Sequence, residues 1–478
     1  MTIGTVLLTL TLLILTFKKL NIRVVFKKIL ICAMVIQLMV ERGYFLKIGS
    51  FQLTYGNFCT IYIFFISLIF LYSGKVVVKK NQVLAWITTF IILLLGWFFL
   101  IFNPTNAVGG NFDIDWDQIL VNNAPLQNIV FTKSMITIII QVLFFLCISF
   151  TAYAKFKKSE WLEIYGSVLK ISNSIFVLNM IELVTKYIFH SNIYTNVIDK
   201  VLGITRATST ELVLRGNGFG LSGLTKEPSH YAFVLIVLLL LNFADLYRNH
   251  SQKYNKRIKL ISLLIIVELC LMMSFSALYF GACLLLIMGC KLLYDKANVR
   301  VAIFFVIISI FIVVMVIATS NFMANSLNET SFWGRRLLSL QQEKSLVFNH
   351  EWLSTTAPNA LEWSNRVRLG STYETLILLK YRPLIGLGFA SVTAHSSLAM
   401  LLSGCGIIGL LAYLNTLFWI RNCNIFNYNK VFYFLLIFLY CLLNLFNSLA
   451  FSPFMDCWVM LVALAFLILS KSKEVKKK

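Results

Sequence analysis

Charge is scarce in this chain. Asp, Glu, Lys and Arg make up 13% of its 478 residues, where soluble domains carry about 25%. With 59% hydrophobic residues gathered in long blocks, that scarcity excludes a water-soluble globule. Proline is rare as well, at six residues, so the apolar blocks run on with few helix breakers. Strict alternation of apolar and polar residues is missing, which excludes a membrane β-barrel. No CxxC pair occurs. The ten cysteines (Cys32, Cys59, Cys147, Cys270, Cys283, Cys290, Cys405, Cys423, Cys441 and Cys457) all fall in or beside apolar segments. They read as small hydrophobes packed between helices rather than as a disulfide framework or a metal site. With five histidines, no metal cluster is apparent, and no cofactor is expected. Met1-Thr2-Ile3-Gly4 lacks the basic n-region of a cleavable signal, so the apolar run to Phe17 is expected to persist as a first helix.

What is present is a series of apolar segments of membrane-spanning length. About 20 apolar residues cross the hydrocarbon core, and without water every backbone amide must bond within its own segment, so each is a helix. Thirteen candidate spans lie near 3–17, 24–40, 57–73, 83–102, 134–154, 168–189, 229–246, 260–274, 276–293, 300–319, 396–420, 431–447 and 454–470. The first two are short, which leaves twelve or thirteen. The expected fold is an all-α polytopic membrane protein, residues 1–478 forming a single integral membrane domain.

The charges orient it. One set of connections, including Lys18, Lys19, Lys27, Lys28, Lys155, Lys157, Lys158, Arg248, Lys253 and the Lys471–Lys478 tail, holds 26 basic and five acidic residues. By the positive-inside rule that side is cytoplasmic, the C-terminus with it. The opposite set holds 14 basic and 13 acidic residues. The net charge of +22 therefore speaks of topology and anionic headgroups of membrane lipids, not of nucleic acid. Inside there are 21 Lys and 5 Arg, outside 6 Lys and 8 Arg. Arginine's flat fork suits phosphate oxygens, so the outer loops are expected to handle a phosphorylated ligand.

Inner connections are short, whereas three outer ones are long: 103–133, 190–228 and 321–395. Long connections of this kind are usually functional. The last, within the large outer loop 320–395, is expected to carry short amphipathic helices on the membrane surface, with Phe332, Trp333, Leu337, Leu338 and Leu340 as an apolar face.

The 190–228 loop closes with Arg215-Gly216-Asn217-Gly218-Phe219-Gly220 and runs through Glu227-Pro228-Ser229 into a helix. Pro228 suits the first helical position and Glu227 the positive end of the dipole. The glycines would let the backbone turn sharply around whatever Arg215 holds. A capped helix with an interfacial arginine explains the same residues equally well. The next long loop closes with Asn365-Arg366-Val367-Arg368, then Arg382-Pro383-Leu384-Ile385-Gly386-Leu387-Gly388, then His395-Ser396, with Gly406 and Gly409 further on. A histidine at the mouth of a helix, followed by small residues that permit close helix packing, suits a site. A lone interfacial histidine is otherwise a satisfied polar group.

Together these segments resemble the O-antigen polymerase and O-antigen ligase superfamily of bacterial envelope glycosyltransferases, and Glu227-Pro228-Ser229 is similar to the polymerase members in particular. The resemblance covers residues 200–420. It implies a metal-independent enzyme of the inner membrane with its active site at the periplasmic face. The substrates it implies are a growing glycan on undecaprenyl diphosphate and a lipid-linked repeat unit, with a chain-length regulator and a flippase as partners. It assigns Arg215, with Arg366 or Arg368, to the departing diphosphate. His395 becomes the general base or orienter of the acceptor hydroxyl, worth about 10²–10⁴ in rate, and Glu227 is the rival base or a partner of Arg215. Arg206, Arg335, Arg336 and Arg382 are further candidates for binding glycan or diphosphate. One departure stands out. Some polymerases carry a glycine eleven positions after an arginine in each long outer loop, but here Arg206, Arg215, Arg335 and Arg366 are followed at that offset by Asn217, Lys226, Leu346 and Ile377.

Two acids fall inside spans. Glu182 has Lys186 one turn later and is expected to form an ion pair, while Glu268 has no sequence-local partner. The rival functions are O-antigen ligase, with lipid A core as acceptor, and a flippase or transporter. Transporters place their sites on broken helices near the midplane and often show two related halves; no such correspondence is visible between these spans.

Overall fold

In the computed structural model the residues described are 2–17, 21–40, 43–48, 51–73, 79–102, 133–204, 214–215, 218–219, 221–225, 228–248, 250–272, 275–295, 299–317, 372, 375–376, 379, 382–389, 391, 396–423, 425–445 and 456–471. Among them are fourteen α-helices: α1 (Ile3–Phe17), α2 (Ile22–Met39), α3 (Tyr55–Tyr72), α4 (Lys80–Phe102), α5 (Lys133–Lys155), α6 (Lys158–Tyr187), α7 (Ile193–Leu202), α8 (Pro228–Asp245), α9 (Gln252–Leu271), α10 (Phe275–Tyr294), α11 (Val299–Ile317), α12 (Ser397–Leu417), α13 (Lys430–Leu443) and α14 (Val459–Ser470). Every one of the thirteen expected spans falls on a helix. By length and composition, α3, α4, α5, α6, α8, α10 and α12 are long and apolar enough to cross a membrane. The protein is thus a multi-spanning α-helical membrane protein.

Polar residues at the chain's turning points set where helices begin. Asn21, Thr54, Ser251, Ser396 and Asn429 each accept a hydrogen bond from a backbone N–H of the first turn of α2, α3, α9, α12 and α13, satisfying donors a helix start otherwise leaves unpaired. Two helices start earlier than hydropathy suggests. The first turns of α6 carry Glu160 and Glu163, which lower the apolar signal, but Arg23 (2.5 Å) and Lys27 (2.7 Å) on α2 pair with them. Likewise α9 opens on two lysine- and arginine-rich turns before its apolar stretch. The all-α expectation misses two short antiparallel ribbons, β1 (Tyr44–Ile48) with β2 (Phe51–Thr54) and β3 (Leu214–Arg215) with β4 (Gly218–Phe219). The first is held by a stacked Phe45–Phe58 pair and by Thr5 Oγ1 donating to the Phe45 carbonyl at 2.8 Å.

Two helices form the centre. Every residue of α8 except Phe243 is buried, and so is every residue of α14. Phe233 of α8 meets Phe280 of α10 and Trp458 at the start of α14 edge-on. Asn242 of α8 and Asn173 of α6 exchange amide hydrogen bonds at 2.8 and 3.0 Å, and Tyr165 Oη of α6 donates to the Leu241 carbonyl. Interhelical polar pairs of this kind satisfy groups that lipid would leave unmet. By contrast α1, α4 and α11 present exposed Leu, Ile and Phe on their outer faces.

The contacts sort the connections into two ends. At one end the basic-rich connections gather: Arg23 donates to the Lys155 carbonyl, Lys158 lies over the Phe426 ring, Arg248 Nη2 reaches the Leu162 carbonyl, and Lys291 Nζ reaches the carbonyl of Lys471. At the other end Thr2 meets Tyr55, Gly43 bridges to Ile204, and Tyr187 Oη donates to the Leu271 carbonyl. Among the connections these contacts join, the grouping is the one that the charge count drew. All ten cysteines are free.

Candidate functional site at the motif-bearing end

The motif that begins at Arg215 is tied down through α6. Ser222 N–H reaches Glu182 Oε1 at 3.2 Å and Oε2 at 3.3 Å, Gly223 N–H donates to Oε2 at 2.6 Å, and Ser222 Oγ lies 3.3 Å from Oε1. Two successive backbone N–H groups thus cradle a carboxylate, the arrangement known as a nest. On its other side the same carboxylate meets Lys186 Nζ at 2.5 Å. Glu182 is fully buried and Lys186 nearly so. The ion pair that the i, i+4 spacing suggests is therefore present, and it does more than neutralise a charge. It fixes the segment between the arginine turn and α8.

Gly223 makes the turn possible. Its φ is +51°, and a Cβ there would run into the ring of Tyr231, so only glycine fits both the conformation and the space. Thr225 closes the turn, donating from its N–H (2.9 Å) and its hydroxyl (2.8 Å) to the Ser222 carbonyl. Pro228 then opens α8, as its fixed φ suggests. The motif leads into one of the two helices that form the centre of the bundle.

Around Glu182 lies a polar cluster that sequence reasoning did not assemble. Tyr194 Oη of α7 donates to Asn179 Oδ1 at 2.9 Å. Tyr231 of α8 and Glu268 of α9 are buried beside it, with the Tyr231 hydroxyl facing both the Glu268 carboxyl and Asn179. Glu268 was visible as an acid within a span. Its convergence with Glu182 needed the packing of α6, α8 and α9, which no local pattern encodes.

The later motif is built into a broken helix. Within α12, Gly406 has φ +66° and ψ −173°, which interrupts the helical ladder. Backbone from the Pro383–Phe389 segment replaces the missing bonds: Leu387 N–H donates to the Ser403 carbonyl (2.7 Å) and Gly388 N–H to the Gly404 carbonyl (2.9 Å). In return Ile407 N–H donates to the Pro383 carbonyl (2.9 Å) and Ile408 N–H to the Leu384 carbonyl (3.2 Å). Irregular backbone within a spanning helix is tolerated only where protein satisfies it in this way. A Cβ at Gly406 would collide with the Leu384 backbone, and one at Gly386 (φ +71°) with that of Gly404 and Cys405. Gly388 also lies against Gly96 of α4, whose neighbour Trp97 donates from Nε1 to the Phe389 carbonyl at 2.6 Å.

This corrects part of the motif's interpretation. Close helix packing is the expectation for the glycines after His395; Gly406 instead breaks the helix to receive the Pro-Leu-Ile-Gly-x-Gly segment. Ser396, the small polar residue after the histidine, is the N-cap of α12, accepting from Ala399 N–H at 3.1 Å.

Of the sequence-derived candidates, Arg206, Glu227, Arg335, Arg336, Arg366, Arg368 and His395 lie outside the described residues. So does the expected amphipathic face from Phe332 to Leu340. Arg215 is placed by its backbone at the end of β3, paired with Gly218. Arg382 is half-buried just before the inserted segment, its carbonyl accepting from Gly386 N–H at 2.9 Å. No protein-family model, no curated protein and no solved structure matches the chain.

Proposed function

We propose that this protein is a surface-polysaccharide polymerase of the O-antigen type. It transfers a growing glycan from undecaprenyl diphosphate onto a lipid-linked repeat unit at the periplasmic face of a bacterial inner membrane. The observation that supports this reading best is the anchoring of the arginine turn: a buried carboxylate spends its hydrogen-bonding capacity on positioning the loop that carries Arg215. A rigid support of that kind suits a residue that must hold a diphosphate in fixed geometry. In this reading Arg215, with Arg366 or Arg368, neutralises the leaving diphosphate, and His395 or Glu227 engages the acceptor hydroxyl. Arg206, Arg335, Arg336 and Arg382 hold glycan or diphosphate.

A second reading has an observation of its own. The interrupted α12 with inserted backbone is the geometry that transporters use for substrate sites, which favours lipid-linked glycan movement over transfer.

The test is the surface polysaccharide ladder of a deletion strain carrying the wild-type chain or His395→Ala. Polymerase activity leaves single repeat units after deletion, and only the wild-type chain restores the ladder. Polymer that accumulates on the lipid carrier without reaching lipid A identifies a ligase. Unpolymerised lipid-linked units trapped on the cytoplasmic side identify transport.

A further inference from the structure

At the opposite end of α6 from Glu182, an open groove of about 480 Å³ runs between α1, α2 and α6. Its lining changes character along its length. Lys27, Lys28 and Glu163 stand at one end, and beyond them Leu15, Ile31, Val35 and Ile171 form an apolar floor. From Lys28 to Val35 the helix rises about 10 Å, and from Glu163 to Ile171 about 12 Å, so the apolar part extends well below the charges. Lys27 pairs with Glu163 at 2.7 Å, which leaves the second lysine in excess. Among the described residues, none of the ion pairs involves Lys28.

We infer that this groove is a binding site for one anionic phospholipid, its phosphate at Lys28 and Lys27 and an acyl chain along Ile31, Val35 and Ile171. Two features select this occupant. A net positive end above a hydrocarbon channel complements an amphiphile with an anionic head, and basic pockets between membrane helices recognise such headgroups. The position then separates it from the lipid-linked ligand proposed above. Glu163 and Glu182 lie on one helix, about 28 Å apart at 1.5 Å per residue, so the groove's headgroup end belongs to the leaflet away from the Arg215 loop. A phospholipid of that leaflet fits, and a ligand handled by the Arg215 loop does not.

The experiment uses the purified full-length chain in detergent, titrated with phosphatidylglycerol, phosphatidylcholine or undecaprenyl phosphate and examined by native mass spectrometry, with thermal unfolding as a check on folding. The wild type is expected to retain one phosphatidylglycerol in preference to phosphatidylcholine. K28Q leaves every ion pair named above intact and should weaken retention about fivefold, and K27Q/K28Q about twentyfold or more. Ser167→Phe keeps both lysines but fills the groove, and should lose the bound lipid whatever its headgroup. Equal retention of the two phospholipids by the wild type overturns the inference. So does undiminished phosphatidylglycerol binding in folded K28Q, or preferential capture of undecaprenyl phosphate.

Discussion

Replacing Glu182 with glutamine separates two jobs that one carboxylate performs. Glutamine has nearly the same shape, but it is neutral and presents an NH₂ where one oxygen accepted bonds. Lys186, nearly fully buried, then loses the carboxylate it meets at 2.5 Å. Removing one member of a buried ion pair typically costs about 3–5 kcal/mol. The loop loses something different. Gly223 N–H, 2.6 Å from Glu182 Oε2, and Ser222 N–H, at 3.2 Å from Oε1, exchange bonds to an anion for bonds to a single neutral oxygen. Hydrogen bonds to charged groups contribute about 1.5–3 kcal/mol, so local opening at Ser222 and Gly223 should become about ten to a hundred times more frequent.

Two assays resolve these effects. Thermal or denaturant unfolding of the purified protein reads the first, and amide hydrogen exchange at Ser222 and Gly223 reads the second. The double variant Glu182→Gln/Lys186→Met is the decisive comparison. It removes both charges, so most of the lost stability should return, while exchange at the loop should stay fast. If polymer length tracks exchange rather than stability across the three proteins, the carboxylate positions the loop for function. Should Glu182→Gln unfold within about 1 kcal/mol of wild type, too small a loss for a broken buried pair, the reasoning is refuted. Unchanged exchange at both amides refutes the anchoring.

Further substitutions test other parts of the architecture. Gly406→Ala combines a left-handed backbone with a collision against Leu384, so membrane abundance should fall sharply, whereas Gly281→Ala, with open space around it, should be tolerated. Lys291 is fully buried and bonds to Asp295 (2.8 Å) and the Lys471 carbonyl (3.2 Å), with its ammonium 4.8 Å from the Tyr247 ring. Lys291→Met should cost about 3–5 kcal/mol in unfolding measurements and the pair Lys291→Met/Asp295→Asn much less. Arg215→Lys keeps the charge but loses the bidentate fork, so the proposed polymerase should make few long chains at normal protein abundance; near-normal chain length would count against the assignment of the diphosphate to Arg215.

The helices were legible because the membrane makes the rule strict. Apolar blocks must be helical there, and each expected span has its helix. The errors at α6 and α9 arose where charged first turns are neutralised by partners far along the chain or face outward, which hydropathy counts as breaks. The Glu182–Lys186 pair was legible from i, i+4 spacing because it is local. Its bonds to Ser222 and Gly223 join residues forty positions apart, and the convergence with Tyr231 and Glu268 depends on how three helices cross. Nothing periodic marks either. The ribbons were missed because two to five residues carry too little pattern to register.

Part of the motif pattern now has a structural explanation. In the segment that follows His395, Ser396 caps α12, Gly406 breaks it, and Pro383 to Gly388 supply the backbone that heals the break. These residues would be required by any protein built on this crossing, whatever reaction it performs. The spacing from Ser396 to Gly409 is therefore evidence for an architecture, and it does not separate polymerase from ligase. The anchoring beside Arg215 bears on chemistry more directly. The backbone of Arg215 pairs with Gly218, and the turn just beyond it is fixed by a fully buried carboxylate. Anchoring a turn this firmly burdens the fold with a desolvated ion pair. That cost is understandable if the segment that carries Arg215 must hold its place.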